Sequence, residues 1–183
     1  MVEPAQKEIK KLVKKAKSGD SEAFGLIYDH YLDRIYRFIF LKVSNKEEAE
    51  DLSQQVFMKA WEAMVRFEDE GLPFASWLYR IARNLVIDFY RTRKSVVSLE
   101  ENILDELMSD QEDIEESVIR SQSQERIMEA LKQLSDEQKD VIILRFVDDL
   151  SYREIARITQ KNQAALRILH HRALKKLKII LEK

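Results

Sequence analysis

Near the C-terminus, in the stretch QAALRILHHRALKKLK, four side chains recur at four-residue steps: Gln163, Arg167, His171 and Lys175, with Lys178 three further on. On a helix this spacing keeps them to one side. An amide, a guanidinium, an imidazole and two ammonium groups placed that way can hold phosphates and hydrogen-bond base edges. Leu166, Leu169, Ala173 and Leu177 fall on the other side as a buried stripe. Upstream, Ser151-Tyr152-Arg153-Glu154 is a capping-box pattern that opens a short helix, Tyr152 to Ile158. A tight connection, Thr159 to Lys161, follows, and Asn162 can cap a longer helix from Gln163 to about Leu181. Short helix, turn and basic helix make a helix-turn-helix, whose second helix enters a DNA major groove by its N-terminal end. The same pattern also fits an amphipathic helix whose basic face is merely solvated.

Other chemistry finds little support. The chain has no cysteine, which excludes disulfides, thiolate zinc sites and thiol catalysis. Its three histidines are His30, His170 and His171. Neighbouring residues on a helix point about 100° apart, so His170 and His171 do not share a metal. No glycine-rich phosphate loop and no convincing Ser/His/Asp order is present. Neither a cofactor nor a metal is expected, and the chain does not read as an enzyme.

The elements that must position the basic helix are helices. There are three glycines and two prolines in 183 residues, and none of either between Phe74 and Lys183. Hairpin signals are absent. Residues 1–94 carry 17 basic and 15 acidic side chains, net +2; residues 95–123 carry one and nine, net −8; residues 124–183 carry 13 and nine, net +4. The spacing predicts helices over Glu3 to Ala16, Ser21 to Val43, a third opened by a capping box at Ser44-Asn45-Lys46-Glu47, and a fourth from about Ala75 to Arg93. A further box, Ser135-Asp136-Glu137-Gln138, opens a helix in the second block. The expected fold is all-α: two small helical domains, 1–94 and 124–183, joined by an acidic flexible linker, 95–123. No apolar run reaches the roughly 18 residues of a membrane span, and MVEPAQKEIKKLVKKAK is too polar for a signal peptide. A cytoplasmic location is expected, with no membrane insertion.

Both blocks carry a family resemblance. The segment EEAEDLSQQVFMKAWEAMVRF, followed by FASWLYRIARNLVIDFYRTRK, resembles region two of bacterial sigma factors. The segment ALKQLSDEQKDVIILRFVDDLSYREIARITQKNQAALRILHHRALKKLK resembles their region four. Their order and the acidic spacer are similar to the compact extracytoplasmic-function group. The resemblance implies a subunit that binds core RNA polymerase and lends it promoter specificity. Region two would melt and read the minus-10 element, and region four would read the minus-35 duplex.

It also implies roles. Phe67, Phe74, Ser76 and Trp77 offer rings and polar groups to an extruded base, where stacking is worth about 1–3 kcal/mol per base; ordinary core packing fits Phe74 and Trp77 equally well. Arg80, Arg83 and Arg91 suit phosphates, and Asn84 and Asp88 suit base edges. Arg153, Asn162, Gln163, Arg167, His171, Lys175 and Lys178 would face the minus-35 duplex. Asp51, Gln54, Gln55 and Phe57 match the family's clamp-binding positions, where Phe57 is either an exposed anchor beside polar groups or simply core. An anti-sigma factor is an expected partner. The sequence departs from the family in three places. Thr159-Gln160-Lys161-Asn162 lacks the glycine common in the turn; Gln55 stands where Glu is common; Gln163 and Ala164 stand where Glu and Gly are common. Two competing readings are a stand-alone helix-turn-helix regulator and a module that sequesters other factors.

Overall fold

In the computed structural model, residues 6–69, 71, 73–97 and 126–182 are described. Short polar clusters decide where the first helices break. Helix α1 (Gln6–Lys17) stops where Gly19 takes φ +89°, a region glycine enters without strain. Asp20 then caps α2 (Ser21–Val43), its carboxylate accepting from the Ala23 N–H at 2.9 Å. At the far end Ser44 is itself left-handed, φ 57°, and its N–H returns to the Phe40 carbonyl at 2.8 Å. Asn45 is therefore the residue free to cap α3 (Lys46–Ala63), accepting from the Glu48 N–H at 2.9 Å. The expected box from Ser44 to Glu47 is displaced by one residue, because Ser44 is consumed in ending the helix before it.

A 3-10 turn, Met64–Arg66, leads into the loop before α4 (Phe74–Val97). Helix α1 anchors that loop. The Lys17 ammonium donates to the Phe67 carbonyl, and Lys10 pairs with Asp69 at 3.2 Å. Asp69 also accepts from the Gly71 N–H at 2.9 Å, and Gly71 has φ +73°. That N–H first, and Lys10 second, hold the Asp69 carboxyl below its ordinary pKa.

The second block begins with α5, helical over 126–132. Both predicted capping boxes form here: Ser135 with Gln138 opens α6 (Asp136–Ile142), and Ser151 with Glu154 opens α7 (Tyr152–Thr159). Between them a wide turn, Ile143–Val147, and Asp149 at φ 50° redirect the chain. Gln160 then takes φ 58°, ψ 28°, and Asn162 caps α8 (Gln163–Leu181) through the Ala165 N–H at 2.7 Å. The glycine-free connection thus keeps the left-handed turn and accepts its strain. All described regular elements are helical. The acidic segment, but for its first residues 95–97 at the end of α4, lies outside the described residues.

Ile27, Ile35, Phe38, Ile39, Val56, Leu78 and Tyr79 fill the space between α2, α3 and α4. Val141, Ile143, Leu144, Ile155, Ile158 and Leu166 fill the second block. Each such side chain contributes about 1.5–3 kcal/mol by leaving water. The two interiors are continuous, because α7 packs on α4 and the wide turn packs on α2. The expectation of two blocks therefore resolves into two helical units docked face to face.

The left-handed Gln160 yields a stability prediction. Gln160→Gly should raise the unfolding free energy in urea by about 1 kcal/mol, since glycine removes a Cβ penalty of about 1–2 kcal/mol and returns part of it as unfolded-chain entropy. A loss of stability would show that the Gln160 side chain supports the turn.

Candidate nucleic-acid interface

The loop before α4 and the first turns of that helix build a small cavity of about 180 Å³, lined by Arg66, Phe67, Glu68, Ser76, Trp77 and Arg80. Phe67 and Phe74 are buried, at 8% and 6% exposure, with ring centres 5.2 Å apart. They are core, and the half-buried ring lying against both is Trp77, at 5.0 Å and 5.2 Å. Of the three aromatics, Trp77 has a face left for stacking. Ser76 is buried and its hydroxyl has no hydrogen-bond partner, so the pocket holds a polar group with unused capacity.

Further along α4 the expected row is split. Asn84 and Arg91 are exposed, and Arg91 pairs with Asp88 at 3.0 Å. Arg80 turns into the cavity. Arg83 is drawn away: its Nε donates to the Asp140 carboxylate at 2.7 Å, across the boundary between the blocks. Asp140 is 2% exposed and its other oxygen takes the Lys42 ammonium, itself buried. A second buried acid, Asp148, lies among cations of the first block with neither carboxylate oxygen hydrogen-bonded. The Asp148 backbone carbonyl accepts from Arg34 at 3.2 Å, and its carboxylate lies 3.6 Å from Arg37 and interacts with the Tyr79 hydroxyl. Burial raises both the Asp148 carboxyl and the Tyr79 phenol above their ordinary pKa values. In both clusters the acids come from the second block and the cations from the first. The docking also brings Arg157 of α7 to the wall of the cavity, which otherwise consists of first-block residues and stays partly open.

The opposite side of the second block stays open. Arg153, Gln163, Arg167, His171, Lys175 and Lys178 are exposed, and Lys178 lies 3.6 Å from Glu182. Asn162 is exposed too, but its side-chain oxygen is committed to capping α8. The Arg167 guanidinium lies over the Tyr152 ring, 5.2 Å from its centre. Tyr152 in turn is hydrogen-bonded to His170 Nδ1. Burial, then Arg145 and His171, lower the His170 pKa, which favours the neutral ring.

On α3, Asp51, Gln54 and Gln55 are exposed as expected, but Phe57 is not. It is 3% exposed and packs edge-on against Tyr28 at 4.7 Å. The apolar surface beside the polar trio is instead Met58, Trp61 and Val65, at 63%, 38% and 70% exposure. Their three- and four-residue steps were visible in the sequence. Phe57 is core because it shares a face with Ser53 and Val56, both buried.

Residues 27–96 match the family model for Sigma-70 region 2, and residues 124–177 match that for Sigma-70, region 4. The chain belongs to the extracytoplasmic-function sigma factors. It is 32% identical over 178 residues to the sigma factor SigW of Bacillus subtilis, covering 93% of this chain and 95% of that one. It is 34% identical over 166 residues to BldN of Streptomyces coelicolor, covering 91% of this chain but 63% of the longer BldN. Among solved structures, the sigma factor RpoE of Bartonella quintana, in complex with the anti-sigma factor NepR, superposes with a TM-score of 0.75 at 26% identity. That match spans 87% of this chain and 96% of RpoE. No helix among the described residues is long and apolar enough to cross a membrane. In this sigma factor, then, the region-four block rests on the region-two face while its own basic helix remains in solvent.

The docked acids give two predictions. Removing one partner from a buried ion pair usually costs about 3–5 kcal/mol. Asp140→Ala should release the blocks, because separation lets Lys42 and Arg83 reach water. The cysteine-free chain allows dyes at Glu62→Cys and Glu182→Cys, and energy transfer between them should fall in the variant. Unchanged transfer would mean that the apolar α4–α7 contact suffices. Asp148 works with the opposite sign. Its raised pKa means the docked form holds the proton more tightly, so its contribution grows as pH falls towards the ordinary carboxylate range and fades as pH rises. Asp148→Asn should remove that dependence and dock at least as tightly as the parent at pH 7, by the same energy-transfer measurement.

Proposed function

We propose that this sigma factor binds core RNA polymerase in the cytoplasm and directs promoter-specific initiation as a non-catalytic subunit. Region two, 1–94, captures the melted minus-10 element. Region four, 124–183, reads the minus-35 duplex, and the acidic segment 95–123 connects them through the polymerase. The observation that carries this reading is the pairing, in one chain, of an exposed basic recognition helix with a tryptophan-walled pocket on a second helical unit. A regulator that reads duplex DNA alone has no use for the second feature.

The side chains divide the work. Asp51, Gln54 and Gln55, with Met58 and Trp61 beside them, face the polymerase clamp. The extruded minus-10 base stacks on Trp77, with Ser76 supplying a hydrogen bond at its edge. Phe67 and Phe74 set the depth of that pocket from beneath. Arg80, Arg83 and Arg91 hold phosphates of the opened strand, and Asn84 and Asp88 read neighbouring bases. In region four Arg153, Lys175 and Lys178 fix the duplex backbone, while Gln163, Arg167 and His171 approach base edges and Asn162 holds the helix N-terminus in place.

Opening the docked arrangement would move Arg157 from the pocket wall and release Arg83 from Asp140. Phosphate can replace the Asp140 carboxylate on Arg83, so strand capture and undocking draw on one guanidinium. An anti-sigma factor, as found with RpoE, is the proposed inhibitory partner. One observation favours a second reading: the basic helix is exposed while Arg83 of the first block is tied to Asp140, as a stand-alone duplex-binding regulator would allow. Tight operator binding without polymerase would support that alternative.

Run-off transcription on a genomic fragment library, with core polymerase and with or without the protein, tests the main reading. Start sites that appear only with the protein are expected; none, with folded protein, would sink it. On a mapped promoter, Arg167→Ala should weaken minus-35 duplex binding by about 1–3 kcal/mol. Trp77→Ala and Asn84→Ala should lower permanganate reactivity of the opened minus-10 region while leaving initial docking intact. Equal losses at both steps for all three variants would contradict this division.

A further inference from the structure

Ile168 stands out on α8. It is 55% exposed and lies outside the apolar core. Single exposed aliphatics are common on protein surfaces, so its place matters more than its exposure. Ala164, Ile168, His171 and Lys175 follow at four-, three- and four-residue steps, and all four are exposed. They run along the outward middle of the helix, opposite the buried Leu166 and Ala173. Arg167 sits to one side of this line, its guanidinium laid over Tyr152. The row of Gln163, Arg167, His171 and Lys175 expected from sequence therefore begins to one side and reaches the middle only at His171 and Lys175, and in the second turn an isoleucine occupies that middle.

The surroundings say what it meets. Arg167, His171, Arg172 and Lys175 are all exposed around it, a cationic rim suited to a polyanion. Ala164 and Ala165 leave the first turn of α8 slim enough for close approach. A helix entering the major groove by its N-terminal end brings its first two turns against the base edges, and Ile168 lies in the second. The groove floor carries one apolar feature, the C5-methyl group of thymine. We propose that Ile168 is a specificity-determining residue that packs against a thymine methyl in the minus-35 element. This rests on the reading of region four as the minus-35 reader. The polar neighbours hold the duplex and read acceptors and donors; Ile168 distinguishes thymine from the other bases by the methyl alone.

The test deletes that methyl and nothing else. Full-length protein is assembled with core polymerase on a promoter mapped by run-off transcription. Each minus-35 thymine, on either strand, is replaced singly by deoxyuridine, and competition binding is measured. At one position the parent holoenzyme should lose about fourfold, the worth of one buried methyl. Ile168→Ala holoenzyme should bind thymine and deoxyuridine DNA equally at that position. Because the side chain is exposed, the variant should keep its circular dichroism and melting temperature, and the deoxyuridine series on the parent needs no variant at all.

Other outcomes overturn the inference in distinguishable ways. Tolerance of every deoxyuridine, or a protected minus-35 element without thymine, removes Ile168 as a methyl reader but leaves the sigma-factor reading standing. An equal loss by Ile168→Ala on both DNAs would place its contact on polymerase or another protein. No minus-35 protection even by the parent holoenzyme would instead overturn the role of region four on which the inference rests.

Discussion

The arrangement of this molecule turns on one buried carboxylate. Asp140 is 2% exposed and is held by Lys42 and Arg83, which lie 98 and 57 residues away in sequence. A buried acid alone would be neutralised or expelled, and a buried lysine alone likewise. Together with the half-buried Arg83 they form a site that exists only while the two units touch. The apolar contact between α7 and α4 could tolerate sliding; a carboxylate fixed by two cations cannot. The ion cluster sets the register of the docking, and the apolar interior supplies most of its stability. A second contact between the units runs through the backbone at Asp148, whose carbonyl accepts from Arg34 at 3.2 Å, while its buried carboxylate lies 3.6 Å from Arg37.

From that register follows an asymmetry between the two nucleic-acid surfaces. Helix α7 brings Arg157 to the mouth of the Trp77 pocket, while α8 faces outward. Region four thus engages Arg83 of region two and sets Arg157 beside Arg80, whereas its own basic helix is open. Arg83 is the hinge of this competition, since the same guanidinium suits Asp140 in the docked form and phosphate in the opened one. An anion displacing an anion requires no new side-chain geometry, only a partner with more charge to offer. In the proposed function, duplex approach and strand capture would be separated by the opening of this interface, and a polymerase that spreads the two units would favour the second step.

What the sequence made legible was local. The caps at Ser135, Ser151 and Asn162 are where their side chains and spacing put them, because a cap is decided within four residues. The helix-turn-helix was readable for the same reason. Ser44 misled because two adjacent residues could each end or begin a helix, and only the backbone conformation assigns those tasks. Phe57, Phe67 and Phe74 could be read as available rings but are core, since helical periodicity alone does not say which of two apolar faces a neighbour covers. Asp140 and Asp148 look like ordinary surface acids in sequence; their role arises from elements far apart in the chain.

Gln160 and Tyr152 show how the open surface is held for its task without the glycine usual at the turn. A left-handed Gln160 costs something in backbone strain, yet it fixes the angle at which α8 leaves α7 as firmly as glycine would permit it. Tyr152, at the first turn of α7, then spans that angle: its ring supports Arg167 from α8 and its hydroxyl is tied to His170 one turn further along. A long arginine loses much rotamer freedom when it binds, and a ring beneath its guanidinium removes part of that loss beforehand. With Arg167 set to one side in this manner, the centre of the recognition face is left to a short, stiff isoleucine. A β-branched side chain has few rotamers to lose. In the proposed contact, flexible cations at the rim and a rigid hydrophobe at the centre would divide affinity from discrimination, because charge is felt at a distance and along the whole duplex, whereas a methyl contact is felt at one base pair.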